Sequence, residues 1–386
     1  KAKSPIEKAQ INFYVLKSSD FKKNVDISSK LHIRDIPERL ENENIGVFAC
    51  IRIMIKVLAH YFFYFCWTMR RLRNKSKYVS VIKTFVEVEY NLFEKKAREE
   101  KHLVLILPFP LSFTRQIKYI KSMCKKPKVD FSLFGMPYSI KKLIKVLVCR
   151  NQLAIFELEV DGAFKLASTL NKVNFSNLLN MDDFDAFSVV SNSVVKSRGV
   201  FIDTHLHGIG TYSPYISTDH LKVFNNQQKN YYMDRNDISS VSFYQEYYKD
   251  NLSIVPIKRG DSIVFYSQVT NATLDLISLE KRVLRTLKDL AISHGVELFY
   301  KKHPNLESTK VTYLKELNID LIISDIRRKI NNVTGMSFYS TSFYTEQDQQ
   351  AILISVPEIP VKLLFSEEGL IIEELNLHKV FSKEIT

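Results

Sequence analysis

Glycine is scarce in this chain, 10 residues in 386. Nucleotide-binding loops need glycine so that backbone can approach a phosphate. Neither G-x-G-x-x-G nor G-x-x-x-x-G-K-[ST] occurs, which excludes the usual dinucleotide and P-loop fingerprints. Cysteine is equally sparse. Cys50, Cys66, Cys124 and Cys149 all lie in the first half, far apart and without a C-x-x-C pair. That spacing excludes zinc ribbons and redox motifs and reads as reduced cysteines in a cytoplasmic protein. Acidic residues are outnumbered, 42 against 55 basic ones, leaving a formal charge of +13. An excess of that sign favours an anionic partner: a nucleic acid, an acidic glycan or an anionic membrane surface. No nucleic-acid recognition motif is present, so nucleic acid is not expected as a partner. Internal repeats and low-complexity tracts are also missing. The chain starts at Lys1 rather than methionine, so a preceding segment stays open.

What is present is an ordinary globular composition, 45% hydrophobic with 12% aromatic. A chain of this length predicts two domains of roughly 150–200 residues each. The most apolar stretch, Ile45–Trp67, is interrupted by Arg52, Lys56 and His60 at four-residue intervals. Two charges so near the centre argue against a membrane span. They fit an amphipathic helix, either packed in a core or lying peripherally on a membrane. Arg70, Arg71, Arg73, Lys75 and Lys77 follow, as expected beside anionic headgroups.

Strands are expected at Ile11–Leu16, His102–Leu107, Val129–Phe134 and near Ala154–Val160. Polar loop is expected from the end of the first strand, Leu16, through Asn44, helix or strand over Val79–Phe93, and a charged helical end over Phe93–Lys101. Helices are expected at Thr114–Lys126 and Ser139–Val148. Their lysines (118, 121, 125, 126, 141, 142 and 145) read as a solvated face or as an acidic-acceptor groove. Alternation of this kind indicates an α/β layered domain. Phe184–Val195 leads into a strand over Gly199–His207. The polar segment from Asp219 to Asn251 reads as an interdomain connection.

The clearest unit is Ser262–Asn305. Ser262–Ser267 is a β-branched and aromatic run. Leu276, Leu279, Val283, Leu287 and Leu290 recur at helical spacing, and Gly295 suits a left-handed helix end. Val296–Tyr300 then empties into Lys301-Lys302-His303-Pro304. Strand, helix, strand implies a parallel crossover, and ligands bind beyond the carboxyl ends of such strands. His303 is therefore the first candidate for chemistry. A helix near Lys310–Leu317, a strand at Asp320–Ser324, a Ser/Thr-rich turn over 335–342 and a strand at Ala351–Val356 complete the reading.

Asp203-Thr204-His205-Leu206-His207-Gly208 can be read as metal-binding, since alternation puts both imidazoles on one side of a strand. In that form it resembles the metal motif of the amidohydrolase barrels and would imply a metal-dependent hydrolase using Asp203, His205 and His207. Only about 180 residues follow, short of the roughly 250 such a barrel takes. His220, His294, His303 and His378 also lack ligand-like spacing. Asp182-Asp183-Phe184-Asp185 spells a further acidic metal motif in a loop-like context. No metal and no cofactor are expected.

Three segments taken together give a second reading: His207-Gly208-Ile209-Gly210-Thr211-Tyr212, then Lys301-Lys302-His303-Pro304, then Gly335–Ser342 (GMSFYSTS). Their order and separation resemble the bacterial sialyltransferases of glycosyltransferase families 52 and 38, the latter including capsular polysialyltransferases. The resemblance covers roughly residues 199–345. It implies a GT-B-type fold, two Rossmann-like α/β domains facing across a cleft. Residues 1–220 would form the acceptor domain, 221–251 the linker and 252–386 the domain binding a CMP-activated donor. The last helix would pack back on the N-terminal domain.

Carried over residue by residue, His303 contacts the donor phosphate and stabilises or protonates the departing group. Lys302, Pro304, Ser340, Thr341, Ser342 and Gly208 complete the donor-binding set. His207 falls where those families place a carboxylate base; Leu206-His207 replaces two acidic residues before Gly208. An imidazole can accept a proton at neutral pH. Asp203 could orient His205 or His207, or be the base itself. The implied reaction is inverting transfer of sialic acid or a related nonulosonic acid from a CMP donor to a glycan hydroxyl. The implied acceptor is a lipooligosaccharide, lipopolysaccharide or capsule, at the inner face of the cytoplasmic membrane. The blander readings are a solvated strand end for Lys301-Lys302 and a helix cap for Ser337–Ser342.

Overall fold

The computed structural model describes residues 3–17, 36–55, 57–58, 78–84, 90, 93, 101–107, 113–126, 129–134, 139–181, 184–206, 213–224, 226–244, 254–269, 276–303, 306, 308–322, 330, 332–338, 350–359 and 371–381. The chain divides into two compact units, one built on residues up to Phe243 and one from Tyr244 on, with Phe224–Gln227 counted in the second.

The first unit is a seven-stranded parallel sheet. Its strands are β1 (Ser80–Thr84), β2 (His102–Ile106), β3 (Asp130–Leu133), β4 (Asn177–Met181), β5 (Phe201–His205), β6 (His220–Val223) and β7 (Ser240–Phe243), in the order β3-β2-β1-β4-β5-β6-β7. The helices are α1 (Pro5–Lys17), α2 (Ile36–Asn42), α3 (residues 47–55), α4 (Phe113–Cys124), α5 (Ile140–Cys149), α6 (Gln152–Leu170), α7 (Ala186–Lys196) and α8 (Asn226–Met233). The inner strands β1, β2 and β4 are buried on both faces, hence their largely apolar runs. Val81, Leu105, Leu178 and Ile202 pack with Phe13, Leu166 and Val190 in one cluster. The alternate residues Ile82, Val104 and Leu179 pack with Phe93, Tyr119 and Met123 in another.

The second unit is a six-stranded parallel sheet of β8 (Ser262–Tyr266), β9 (Glu297–Lys301), β10 (Asp320–Leu321), β11 (Val333–Ser337), β12 (Gln350–Ser355) and β13 (Ile371–Glu373), ordered β10-β9-β8-β11-β12-β13. Helix α9 (Leu276–His294) joins β8 to β9, and α10 (Tyr313–Glu316) precedes β10. Gly295 ends α9 at φ +64°, the left-handed conformation expected of it. Both sheets reverse direction of growth at an inner pair, β1/β4 and β8/β11. Such switch points open a crevice at the carboxyl ends of the strands. Two Rossmann-like α/β units are thus the fold class the sequence led one to expect.

Several expectations need correction. Ile11–Leu16 is helix, not strand, because Ser4 and Glu7 form a capping box: Ser4 N donates to Glu7 Oε2 at 2.7 Å and Glu7 N to Ser4 Oγ at 3.3 Å. Pro5 sits in the first turn, where its fixed φ suits helix. The expected loop before Asn44 holds α2. The strand expected near Ala154–Val160 lies inside α6, capped by the Asn151 side chain, which accepts from Ala154 N at 3.0 Å. The range 221–251, expected as a connection, contributes α8, β7 and most of β6, which extend the first sheet. Within the expected turn at 335–342, Gly335, Met336 and Ser337 belong to β11. The closing 3-10 helix Glu374–Phe381 packs on α9 of its own unit: Phe381 stacks on His294 at 4.7 Å between ring centroids.

Candidate functional site

In the second unit, β9 and β11 flank β8 on either side, all three parallel. The carboxyl ends of the three strands therefore share one edge, at the switch point. Lys301 ends β9 and delivers Lys302 and His303 to that edge. Ser337 ends β11, and Ser340, Thr341 and Ser342 follow within five residues of chain; they lie outside the described residues, as does Pro304. Fold topology thus brings His303 and Ser337 to one edge of the sheet, on the two strands that flank β8.

His303 is half-buried, and burial holds its pKa below the ordinary histidine value, with the Lys302 ammonium pushing the same way. Both effects favour the neutral imidazole, the form that can accept a proton. The Lys302 ammonium donates to the backbone carbonyls of Leu306 and, at 3.4 Å, His303. With Leu306 N donating to His303 O at 3.0 Å, it braces the turn that presents His303. Lys301 Nζ lies 5.4 Å from the centroid of the Tyr266 ring.

Beneath this edge lies a buried carboxylate that the sequence reading passed over. Glu280, on α9, is fully buried. It accepts hydrogen bonds from Gln268 N at 2.8 Å, Ser267 Oγ at 2.9 Å, Tyr300 OH at 2.8 Å and Tyr313 OH at 3.3 Å. One side chain thereby ties the segment after β8 to the end of β9, one residue before Lys301. Ser267 N also donates to Lys301 O at 3.0 Å. Burial pushes the Glu280 pKa up, opposed by these hydrogen bonds. Burial and the nearby Glu280 together raise the pKa of the Tyr300 and Tyr313 hydroxyls. The signal was available: Glu280 is the one acidic residue among the buried positions of an otherwise apolar helix face.

In the first unit, Asp203 and His205 project from the same face of β5, and His205 Nε2 lies 3.3 Å from Asp203 Oδ1. The imidazole packs against Phe93, 4.7 Å between centroids. His207 and Gly208 lie outside the described residues. The neighbouring His220 is engaged elsewhere, its two ring nitrogens within 2.9 and 2.8 Å of Ser240 Oγ and Ser242 Oγ. Among the described residues, no three His, Cys, Asp or Glu side chains are grouped to hold a metal ion. The sheet carrying Asp203 is open, ending at β3 and β7, and is not the closed barrel that the amidohydrolase likeness requires. Asp182 and Asp183 are outside the described residues, while Asp185 caps α7, its Oδ1 accepting from Ser188 N at 2.7 Å.

Lys83, near the end of β1, was also missed. It is 2% exposed and donates to Ser188 Oγ and Asn192 Oδ1 of α7, both at 3.2 Å. Asn180, at the end of β4, donates to Thr204 Oγ1 at 2.7 Å. Polar side chains thus replace apolar ones at the carboxyl ends of the strands around the first switch point.

No protein-family model and no curated protein matches the chain. Solved structures similar in chain course include S. aureus MnaA with UDP (11% identity, 78% of this chain and 85% of that one, TM-score 0.43). Acinetobacter baumannii MurG is similar at 10% identity over 79% and 89% of the two chains, with a TM-score of 0.44. LpCGTa in complex with UDP is similar at 9% identity over 80% and 91%, with a TM-score of 0.45. Likenesses at these scores say nothing of what this chain binds.

Proposed function

We propose that the chain is an inverting glycosyltransferase of GT-B type. It would transfer sialic acid or a related nonulosonic acid from a CMP-activated donor to a hydroxyl of a bacterial surface glycan. The reading rests on one observation above others: His303 stands at the carboxyl end of β9, beside the β8/β11 switch point, with Ser340–Ser342 following β11 in sequence. A CMP leaving group is a phosphate monoanion or dianion, and its departure is helped by donors converging on it. His303 and the hydroxyls at 340–342 would supply them. In the free protein burial favours the neutral form of His303; a phosphate beside it favours the protonated form, so substrate binding would load the proton that the leaving group needs.

The family resemblance assigns the second unit to the donor and the first to the acceptor. The base remains between His207 and Asp203, whose Oδ1 lies 3.3 Å from His205 Nε2. A buried carboxylate beside an imidazole holds the ring in one orientation and stabilises the imidazolium formed when it takes a proton. An anionic or lipid-linked glycan would suit the basic chain, working peripherally at the inner face of the cytoplasmic membrane. A single donor phosphate makes no demand for a divalent metal.

The test is transfer from CMP-activated nonulosonic acids to bacterial lipooligosaccharide, wild type against His303→Ala. We expect the variant to lose on the order of 10²–10⁴-fold in rate, the usual scale for a general acid. Undiminished turnover in the variant would remove the assignment of His303.

A further inference from the structure

Exposed large hydrophobic side chains concentrate on two neighbouring helices of the first unit. Helix α5 exposes Ile140 (66%), Ile144 and Val148 (71%), and α3 exposes Phe48 (89%), Ile51 and Ile55. The helices are fastened to each other at one end, where Ile45 N donates to Arg150 O at 2.7 Å and Gln152 N to Glu43 O at 3.2 Å. Cys50 and Val57 from the first segment share a core cluster with Leu143 and Val146 of α5 and with Ala154 and Leu158 of α6.

On α5 the exposed apolar residues recur every four positions, one place along from the buried Leu143, so they form a stripe beside the packed one. The apolar arc is therefore wider than the core it covers. An apolar surface of this kind on a soluble unit marks an interaction site.

The charges identify the partner. Every charged side chain within α3 and α5 is basic: Arg52 in α3, and Lys141, Lys142 and Lys145 in α5. Lys142 and Lys145 each reach Glu157 of α6 at 2.7 Å, while Lys141 is exposed. Beyond Leu58 the sequence runs through His60–Trp67, rich in aromatics, into Arg70, Arg71 and Arg73. A second copy of the chain would bring like charges together. A bilayer of anionic phospholipid meets both features, accepting the apolar side chains at the headgroup–acyl boundary and the basic ones among the phosphates.

We propose that the α3–α5 surface docks the protein on an anionic phospholipid bilayer, with Phe48, Ile144 and Val148 as its inserting side chains. This names the surface through which the membrane contact of the functional reading would be made. It is tested without donor or acceptor, so the two can fail separately.

The full chain is co-sedimented with phosphatidylcholine vesicles and with mixed phosphatidylcholine–phosphatidylglycerol vesicles, alongside the variant F48D/I144D/V148D. Wild type should pellet with the mixed vesicles and not with the neutral ones, and the variant should bind about tenfold more weakly or worse. The variant's thermal midpoint reports its fold; if it falls, F48S/I144S replaces it, and K141E should weaken binding and reduce its salt sensitivity. Wild type that ignores mixed vesicles, or variants that bind them undiminished, would overturn the proposal. Self-association in sedimentation velocity, abolished by the variant and without vesicle binding, would assign the surface to a second copy instead.

Discussion

Glu280 is the residue on which the edge that carries His303 depends most in structural terms. Removing its carboxylate leaves the Ser267, Tyr300 and Tyr313 hydroxyls and the Gln268 amide without this acceptor in a dry interior. Leaving buried donors unpaired costs about 1–3 kcal/mol each in mutational series, though such losses are not additive. Glu280→Ala should therefore destabilise the second unit by roughly 3 kcal/mol, measured by guanidinium unfolding.

The raised pKa of Glu280 fixes a sign as well. The folded chain holds this proton more tightly than the unfolded one. Its contribution is complete below the ordinary value of 4.5 and is lost as pH rises through the raised folded value. Glu280→Gln should flatten that part of the pH–stability curve. A wild-type and variant pair with parallel curves would refute the assignment.

His303 titrates in the opposite sense. Its folded pKa lies below the ordinary 6.5, so its contribution is present above that value and lost as pH falls through the depressed one. Observed by NMR, its midpoint should lie below 6.5 in the free protein and rise when CMP is added. No upward movement with CMP would separate this imidazole from the phosphate.

At this scale the sequence showed the candidates but not their company. His303 was legible because a strand ended on it. Glu280 was not, because a lone glutamate in an amphipathic helix reads as a solvated face until Tyr300 and Tyr313 are seen to converge on it. Lys302 was legible as a cation, but its use on the carbonyls of its own turn depends on a loop conformation that spacing does not reveal.

Among the elements, the crossover β8–α9–β9 was readable from apolar spacing and Gly295 because both signals pointed the same way. The failures share one cause: local pattern without its capping chemistry. In α1 the buried Ile11, Phe13 and Val15 alternate as in a strand, yet Ser4-Pro5-Ile6-Glu7 starts a helix, and Asn12 lies buried between them. There the Asn12 amide donates to Phe184 O at 2.8 Å and accepts from Tyr215 N at 3.0 Å. In α6 the aromatic and β-branched run from Ile155 suggested strand, and the Asn151 cap decided for helix. Strand β7 was hidden by its polarity, as suits the last strand of a sheet.

Caps can be tested directly. Asp185 accepts from both Ser188 N at 2.7 Å and Ser188 Oγ at 3.0 Å at the start of α7. Asp185→Ala should cost the first unit about 1–2 kcal/mol. Asp185→Asn should restore most of it, since the amide oxygen can still cap. Equal losses in the two variants would mean that Asp185 acts through its charge elsewhere.

For the whole molecule, strand order carries the argument. Both units grow outward from an inner pair in a Rossmann-like order, so each presents a crevice at its carboxyl edge. In the second unit that edge receives Lys301–His303; in the first it receives Lys83, Asn180, Asp203 and His205. Two α/β domains were legible from length and alternation. The boundary was not, because polar β6 and β7 belong to the first sheet while reading as linker. Among the described residues no helix is long and apolar enough to cross a membrane.

The claim of a CMP-linked donor is tested most directly by thermal unfolding with cytidine monophosphate, uridine diphosphate and guanosine diphosphate, on wild type and His303→Ala. A ligand at a hundred times its Kd adds about 2.7 kcal/mol to the stability of the state that binds it. For a unit of this size that is a rise of several degrees, on the order of 5–10 °C. We expect the rise with cytidine monophosphate alone, and its loss in His303→Ala. A shift with uridine diphosphate and none with cytidine monophosphate would contradict the account.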